Sequence, residues 1–561
     1  MKYARVVKQS AEQGQATVML KSKSHSQKSS SESLTKKKST ILWAVIAMVS
    51  AFVSIGSWGL SSPIGSSPDD DYHNVSIWCG QGLREGLCEQ GSEPGNVLVR
   101  ETLKSNSFCF AGRSEESGYC EQTEALGETA RTNRGENPNL FYWVNSWFAS
   151  NDLVASVLAI RFFNTALAIL LFASVIFALP RHLRRVPLVG IIATSVPLGL
   201  FIIPSTNPSS WASPSVLVFF SALAGFLSVK KVKSRWLLGG LAIFSAFIAA
   251  GSRPDSAFYI LVSIGVALVI SYTREMINLR SLAVVILLFA IAATFFLTAG
   301  NTGLTIAGTP GGGLQVTTIG KFFLNLAHLP NLWVGIFGSQ GLGWMDTLMP
   351  STVWAVAFGI YASIIFGAIK YFDSRQGFAV SLTFLSLIVV PMAALTSSGL
   401  LVGQFVQPRY LLPLLGLLVA ASMYRRSDKS GFELSRAQAW LIAFGLVAAQ
   451  LIALRSNMQR YLTGFGTNDI IEWWWVEVPP AGTVFWFSPD YVLLIGSIAF
   501  ALLLVSLWKL RVELGLPGDS ARKNGNTEDN EAVPTLQQVK PLRKRKIPWF
   551  TEKSADRKSQ L

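Results

Sequence analysis

A run of three carboxylates, Asp69–Asp71, follows the first long apolar segment, and His73 stands two residues beyond it. Adjacent carboxylates repel one another, so one can stay ionised as a general base while another is pushed toward protonation. An imidazole at this distance can join a proton relay or a metal site. Asp69, Asp70 and His73 are therefore candidate catalytic residues. A solvated acidic turn that caps a helix N-terminus is the structural alternative.

Arginine stands in two further polar segments, at Arg253 within Gly251–Asp255 and at Arg409 within Gln404–Tyr410. A guanidinium presents a planar fork of donors that suits a phosphate. Both arginines are candidate ligands for the phosphate of a lipid-linked substrate. Anchoring at the membrane interface, or pairing of Arg253 with Asp255, would explain them structurally.

Lys321 is the third candidate ligand for the donor phosphate. It lies in a stretch where polar residues recur among phenylalanines and leucines, as in a helix lying on a membrane surface. The glycines that precede this stretch at 309–313 do not have the spacing of a phosphate-binding loop, so we interpret them as turns. Farther along, Trp473–Trp475 indicate an aromatic belt, with a sugar-stacking platform as the alternative.

All four cysteines lie between residues 61 and 152, at Cys79, Cys88, Cys109 and Cys120. Paired cysteines persist in oxidising compartments, so two disulfides are expected, and sequential pairing is the connectivity we predict among three. Zinc is the weaker alternative, because no Cys-x-x-Cys spacing is present. The sequence indicates no cofactor with certainty and identifies no metal ligands. Whether the protein uses a divalent cation is left open by the sequence.

The elements that must position these residues are membrane helices. Half of the residues are hydrophobic, 14% are charged and the mean hydropathy is +0.39. Apolar residues come in blocks of about 17 to 25, long enough to cross a bilayer. The sequence predicts an all-α integral membrane protein with about 12 spans, near 41–60, 153–179, 186–204, 213–229, 236–252, 256–272, 281–299, 351–370, 378–397, 411–424, 437–454 and 491–508.

Lysine and arginine fall mainly on one side of this topology, with 36 on the side of both termini and 11 on the other. The positive-inside rule then places both termini in the cytoplasm and the loop 61–152 outside. The net charge of +15 has the same topological origin, so we do not expect a nucleic-acid partner.

The predicted domain organisation has three parts. Residues 1–40 and 511–561 are polar, basic tails that we expect to be disordered in the cytoplasm. Between them, 41–510 form the membrane domain, and its first span is interpreted as an uncleaved signal anchor. Its external segments are the disulfide-containing loop 61–152, the amphipathic loop 300–350 and the tryptophan-rich loop 455–490.

The acidic motif also carries a family resemblance. Pro68-Asp69-Asp70-x-x-His73 resembles the Pro-Asp-Glu-x-x-His signature of an uncharacterised family of bacterial polytopic membrane proteins, a domain of unknown function grouped with the GT-C glycosyltransferases. The resemblance spans roughly residues 40–510. Four further segments are similar to that family: Asn207–Trp211, Arg253–Asp255, Leu342–Asp346 and Gln407–Tyr410.

This resemblance implies a GT-C-like fold in a bacterial plasma membrane. It also implies transfer of a sugar from a polyprenyl-phosphate donor to an envelope glycan or protein acceptor, in contact with membrane lipid. The base falls on Asp69 or Asp70, and Arg409 becomes the candidate ligand of the donor phosphate. Asp70 stands where the family usually has Glu, so either carboxylate can be the base.

Two other functions stay open. A non-catalytic flippase or assembly partner for lipid-linked glycans would use the same arginines to bind phosphate. Proton-coupled transport would depend on Arg161, the one charged residue within the spans, or on Asp152 at a span end. Ion-coupled transporters usually hold several charged groups near the bilayer midplane, so transport is the least favoured of the three.

Overall fold

The computed structural model describes residues 37–118, 125–271, 273, 278–300, 317–404, 406–426, 434–466 and 488–516. Several predictions fall outside these ranges: nearly all of both tails, the glycines at 309–313, the tryptophans at 473–475 and Cys120.

Long apolar helices dominate the described residues and confirm an all-α membrane protein. Eleven of them are long and apolar enough to cross a membrane. They are α1 Lys37–Leu60, α5 Leu153–Ala178, α6 and α7 as one unit Arg181–Ile202, α8 Ser209–Ser228, α9 Val232–Ala250, α10 Pro254–Ser271, α11 Leu279–Thr298, α13 Ser351–Ile369, α14 Ser374–Ser398, α16 Arg436–Leu462 and α17 Pro489–Lys509. The sixth and seventh helices, Arg181–Thr194 and Leu200–Ile202, are joined through an irregular turn at Ser195–Gly199.

The predicted span at 411–424 is a helix of only 12 residues, α15 Leu412–Met423. At about 1.5 Å per residue it covers roughly 18 Å, less than the thickness of the hydrocarbon core. All of its residues are buried, against α6, α8 and α14. Its apolar composition therefore reflects the protein interior, and a full span was the wrong interpretation for this segment.

The centre of the bundle is α8, which packs against α5, α9, α10 and α15. Small residues permit the close approach: a β-carbon added at Gly225 would lie 2.5 Å from the side chain of Leu179. On the periphery, α11 leaves large apolar side chains such as Ile286 and Phe289 exposed. Such side chains face lipid in a membrane helix.

The described residues of the loop 61–152, which are 61–118 and 125–152, fold into a small cap at one end of the bundle. We call this end of the bundle the loop end. The cap contains α2 Asp70–Trp78, α3 Glu101–Ser105 and α4 Leu140–Asn145. Short 3-10 turns follow at Asn106–Cys109 and Ser146–Phe148. The sequence did not predict the antiparallel sheet that it also holds, in the order β1 Glu89–Gln90, β2 Val97–Arg100 and β3 Leu126–Thr129.

The disulfide Cys79–Cys88 is confirmed, and it closes a short loop after α2. Cys109 is disulfide-bonded as well. Its predicted partner, Cys120, lies outside the described residues, so that pairing stays a prediction.

The amphipathic stretch around Lys321 forms a helix, α12 Thr318–Gly335. Ile319 and Phe323 are exposed, whereas Asn325 and Leu329 are buried. Because the exposed residues are apolar and the buried ones include a polar asparagine, the predicted separation of polar and apolar faces stays a prediction. The location of α12 on a membrane surface stays a prediction as well.

Candidate functional site

The acidic run forms the first turn of α2, and its three carboxylates point to different partners. Asp69 precedes the helix with a φ of 60°, in the left-handed region that few residues other than glycine adopt. Its side chain makes no capping hydrogen bond. Asp70 and Asp71 are 0% and 3% exposed. The alternative of a solvated capping turn is therefore wrong for this segment.

Asp69 forms an ion pair with Arg409, the residue that the sequence had singled out independently. Arg409 Nη2 lies 2.6 Å from Asp69 Oδ2. Arg409 belongs to a 3-10 turn at Pro408–Tyr410 and is itself 3% exposed. It also donates to the side chains of Gln407 and Tyr410. A buried guanidinium is thus held against a carboxylate that keeps 36% of its side chain exposed.

Arg131 contacts the same carboxylate from the solvent side. Its Nη2 lies 3.4 Å from Asp69 Oδ1, and its Nε pairs with Asp71 Oδ2. The Arg131 side chain is 50% exposed, while Asp71 is buried. Asp71 therefore anchors an arginine that covers one oxygen of Asp69.

Neighbouring basic groups decide the charge of Asp69. Burial alone would raise the pKa of Asp69, but Arg409, and after it His73 and Arg131, outweigh burial and hold its pKa below the ordinary value. Asp69 is consequently ionised at neutral pH. An ionised, partly exposed carboxylate is the form that a general base requires.

Asp70 has the opposite environment. It accepts hydrogen bonds from the Thr206 hydroxyl at 2.8 Å and from the Ser67 amide at 3.0 Å. Complete burial raises its pKa to about 7, although nearby Arg161 opposes the shift. Because its side chain is fully enclosed, Asp70 cannot reach a substrate in this conformation. The structure thus separates two neighbouring aspartates that the sequence left equivalent.

Arg161 holds the backbone that leads into the acidic run. From inside α5 its guanidinium donates to the carbonyl oxygens of Gly59, Ser62 and Pro63, at 2.6 to 2.9 Å. These carbonyl groups lie at the end of α1 and just beyond it, where the helix supplies few hydrogen-bond donors of its own. Asp152 caps the start of α5 by accepting from the Ala155 amide. Both residues considered for proton transport thus have structural partners.

The segment Asn207–Trp211 supports the other side of the run. Asn207 donates to the carbonyl oxygen of Pro68 at 2.8 Å, directly before Asp69. Trp211 donates to Asn164, which in turn donates to the carbonyl oxygen of Ser205. These contacts connect α5 to the Ser205–Asn207 turn that places Thr206 against Asp70.

His73 lies one helical turn after Asp69 and is buried. Its Nδ1 is 2.9 Å from the hydroxyl oxygen of Tyr142, and the two rings stack. Burial lowers the pKa of His73 to about 3, despite the nearby charge of Asp69. The imidazole is therefore neutral at physiological pH. Within the described residues, no three acidic, histidine or cysteine side chains are grouped as a metal site would need.

Arg253 reaches the same region from the turn between α9 and α10. It makes a bidentate ion pair with Asp255, at 2.9 and 3.0 Å, as the structural alternative anticipated. Its guanidinium carbon also lies 4.8 Å from the centre of the Tyr410 ring, and that of Arg409 lies 4.9 Å from the same ring. Tyr410 thus places both candidate phosphate ligands beside one aromatic side chain.

Lys321 is not brought to this cluster. Its ammonium donates to the carbonyl oxygen of Gly399 at 2.7 Å. The other end of α12, at Gly335, contacts Pro408. Fourteen residues of helix separate these ends, about 21 Å.

A second buried ion pair ties the cap to the bundle. Arg460 near the end of α16 lies 2.9 Å from Asp346, and both side chains are at most 3% exposed. Asp346 also accepts from the Gly112 amide, and Arg460 donates to the carbonyl oxygen of Phe110. The pair therefore joins the cap, the segment after α12 and the end of α16.

Sequence reasoning missed Arg131, Thr206 and Arg460. Arg131 and Thr206 stand among small polar residues with no motif of their own, so nothing in the local pattern points to them. Arg460 did carry a signal, because a charged residue at the end of an apolar helix needs a counter-charge.

One family model, described as a predicted membrane protein (DUF2142), matches residues 52–418. This stretch is longer than half of the chain and contains Asp69, Thr206 and Arg409. No curated protein and no solved structure matches the sequence.

Proposed function

The chain belongs to the DUF2142 family of predicted membrane proteins, and from that premise we propose that it is a membrane glycosyltransferase. It transfers a sugar from a polyprenyl-phosphate donor to an acceptor hydroxyl of a cell-envelope glycan or protein. Asp69 is the base, and Arg409 binds the donor phosphate. The observation that carries the proposal is the contact between an ionised, partly exposed carboxylate and a buried arginine at the loop end of a helical membrane bundle.

Asp69 is favoured over Asp70 as the base by exposure and charge. A base must reach the proton that it removes, and Asp69 is exposed where Asp70 is enclosed. Asp69 is also the carboxylate whose pKa lies below its ordinary value, whereas that of Asp70 is near 7. Asp70 acts as a positioning residue that fixes the first turn of α2 through Thr206 and Ser67.

The reaction is a single displacement at the anomeric carbon. Asp69 accepts the proton of the acceptor hydroxyl, and the acceptor oxygen forms a bond to the anomeric carbon. The bond from that carbon to the phosphate oxygen breaks, and its electron pair leaves with the polyprenyl phosphate. The proton is released from Asp69 to solvent afterwards.

Arg409 stabilises the departing phosphate and adjusts the base. A fixed guanidinium next to a leaving group stabilises the charge that develops in the transition state. When a donor phosphate shares this guanidinium, the carboxylate loses part of its counter-charge. The pKa of Asp69 then rises, and Asp69 becomes a stronger base only when the donor is bound. Arg253, beside Tyr410, is the second candidate for the phosphate.

A lipid-linked donor fits the position of this site. Asp69 and Arg409 lie at the loop end of the bundle, Asp69 at the start of α2 and Arg409 in the turn ahead of α15. The phosphate of a polyprenyl lipid lies at that depth, with its chain among the membrane helices. We place the chain in a bacterial plasma membrane with both termini cytoplasmic, so that the site opens outside. The charge distribution along the sequence supports this orientation.

A non-catalytic handler of lipid-linked glycans is the second candidate. Both oxygens of Asp69 are engaged by arginines, as expected for a carboxylate that only holds phosphate ligands in place. In that function the donor phosphate displaces the carboxylate from Arg409 and no bond to the sugar breaks.

Turnover distinguishes the two candidates. Purified full-length protein in proteoliposomes is offered radiolabelled polyprenyl-phosphate sugars and a mixture of envelope acceptors. We expect sugar to leave the donor at a rate above that of protein-free vesicles. Saturable donor binding without any release of sugar would contradict the enzyme and favour the handler.

A further inference from the structure

A second site of different character lies at the opposite end of the bundle. An apolar groove of about 350 Å³ runs between four helices and is lined by side chains such as Ile192 of α6, Ile364 of α13, Phe444 of α16 and Leu504 of α17. Its volume is in the range of small-molecule sites, about 300–1,000 Å³. About 20 Å of α16 separates the groove from the turn of this helix that contacts the cap.

The groove is open toward the membrane. Phe444 is 74% exposed and Trp440 is 58% exposed, although both belong to its lining. In a bilayer such a surface is covered by lipid chains. The lining residues are apolar except for one charged side chain, Arg511, just after the end of α17.

Arg511 stands where the headgroup of a lipid would lie. Its guanidinium donates to the carbonyl oxygen of Trp508 and lies 4.6 Å from the Trp508 ring. In the part of the chain that the structure describes, no carboxylate forms an ion pair with Arg511, whereas nearby Arg181 pairs with Glu513. A phosphate is the counter-charge that a guanidinium binds best at a membrane surface.

We propose that this groove binds one anionic phospholipid, with an acyl chain along the apolar lining and the phosphate on Arg511. Charge complementarity favours this occupant over two others. The tail beyond residue 516 has ten basic and six acidic side chains, so its net positive charge makes it a poorer counter-charge for Arg511 than a phosphate. A second copy of the chain would bring a further Arg511 to the groove, while Glu513, two residues from Arg511, already pairs with Arg181, and burying an unpaired guanidinium is costly. The proposal is independent of the proposed activity at the loop end.

The test measures retained lipid on the full-length protein. Purified protein is equilibrated with mixed micelles containing equal amounts of phosphatidylglycerol and phosphatidylethanolamine, and native mass spectrometry counts the molecules of each that stay bound. We expect phosphatidylglycerol to be retained preferentially. Arg511→Ala should reduce that retention about fivefold, the effect of one basic group at a membrane surface. Ala443→Phe should fill the groove and reduce retention of both lipids.

Lys509→Ala is the matched control. Lys509 has the same charge and lies two residues from Arg511, but its ammonium contacts the Trp43 ring and it does not line the groove. We expect wild-type retention for this variant. Equal retention by wild type and Arg511→Ala, or no preference for phosphatidylglycerol, would overturn the proposal. Arg511 is at the surface, so its variant decides the outcome even if Ala443→Phe fails to fold.

Discussion

Asp69 and Arg409 lie 340 residues apart in the chain and 2.6 Å apart in space. Each approaches from a short turn at the loop end of the bundle, Asp69 at the start of α2 and Arg409 ahead of α15. Their contact combines a carboxylate that stays ionised with a guanidinium that is almost fully buried. The proposed chemistry depends on both properties, because the base must be charged and the phosphate ligand must be fixed.

Removing Arg409 should weaken donor binding. A hydrogen bond to a charged group contributes about 1.5–3 kcal/mol, so Arg409→Ala should raise the Kd for a polyprenyl-phosphate sugar by about 10- to 100-fold. Arg409→Lys should give a smaller loss, because it keeps the charge but not the fork of donors. Equilibrium binding of radiolabelled donor measures both effects. Arg253→Ala serves as the comparison, and its effect should be smaller because Asp255 engages Arg253 through two hydrogen bonds, whereas Asp69 engages Arg409 through one. Unchanged binding in Arg409→Ala would remove Arg409 from the phosphate site.

Arg131 should set the acid limb of the pH–activity profile. Activity that requires ionised Asp69 is present above its pKa and is lost as the pH falls through it. Loss of the Arg131 charge raises that pKa, so the acid limb of Arg131→Ala should move to higher pH. Arg134→Ala is the control, because Arg134 donates to backbone carbonyl groups and its described partners include no carboxylate at the site. Superimposable profiles for Arg131→Ala and wild type would show that Arg131 does not act on the base.

Asp70 should make the protein less stable as the pH rises. Its pKa is about 7 in the folded chain and about 3.9 when unfolded, so the folded state binds the extra proton between these values. The contribution of this proton to the free energy of unfolding is fully present below about pH 4 and is lost by about pH 7. The difference between the two pKa values corresponds to at most about 4 kcal/mol. Chemical denaturation in detergent micelles at several pH values should show this slope in wild type and a flatter one in Asp70→Asn. Parallel curves for the two proteins would contradict the assigned environment of Asp70.

Removing Arg460 should lower the free energy of unfolding, although Arg460 does not contact Asp69. Arg460→Ala leaves the buried carboxylate of Asp346 without its partner, and breaking a buried pair costs about 3–5 kcal/mol. Lys104→Ala breaks a partly exposed pair with Glu101 in the same cap, between side chains that are 24% and 33% exposed, and should cost about 1 kcal/mol. The free energy of unfolding of the two variants gives the comparison. Equal losses would indicate that the Arg460 pair does not hold the cap to the bundle.

The fold could be predicted from the sequence because hydrophobic length is a local property. Eleven apolar blocks became helices of spanning length for that reason. The block at 411–424 failed because composition alone does not distinguish a helix buried in protein from one buried in lipid. The three-stranded sheet in the cap was missed because its strands are two to four residues long, too short for an alternating pattern to be recognised.

The candidate site could be predicted only in part. Asp69 and Arg409 each stood in a conspicuous motif, but nothing in the sequence indicated that they touch. The difference between Asp69 and Asp70 depends on a backbone angle and on Thr206, which is 136 residues away from Asp70. Neither the backbone angle of Asp69 nor the contact of Asp70 with Thr206 can be inferred from the sequence, in which the two residues are identical neighbours. Lys321 was grouped with the arginines by charge, whereas α12 places it at the far end of a helix.

The central claim is that Asp69 is the base, and transfer from a bound donor tests it most directly. Purified wild type and Asp69→Asn, an isosteric change, are compared in proteoliposomes with the same radiolabelled polyprenyl-phosphate sugar, and Asp71→Asn provides the control from the same turn. We expect Asp69→Asn to lower the transfer rate by about 10²- to 10⁴-fold, the usual contribution of a general base, while donor binding persists. Asp71→Asn releases Arg131 but keeps the contact of Asp69 with Arg409, so its rate at neutral pH should fall far less than that of Asp69→Asn. Transfer by Asp69→Asn at the wild-type rate would contradict the assignment of Asp69 as the base.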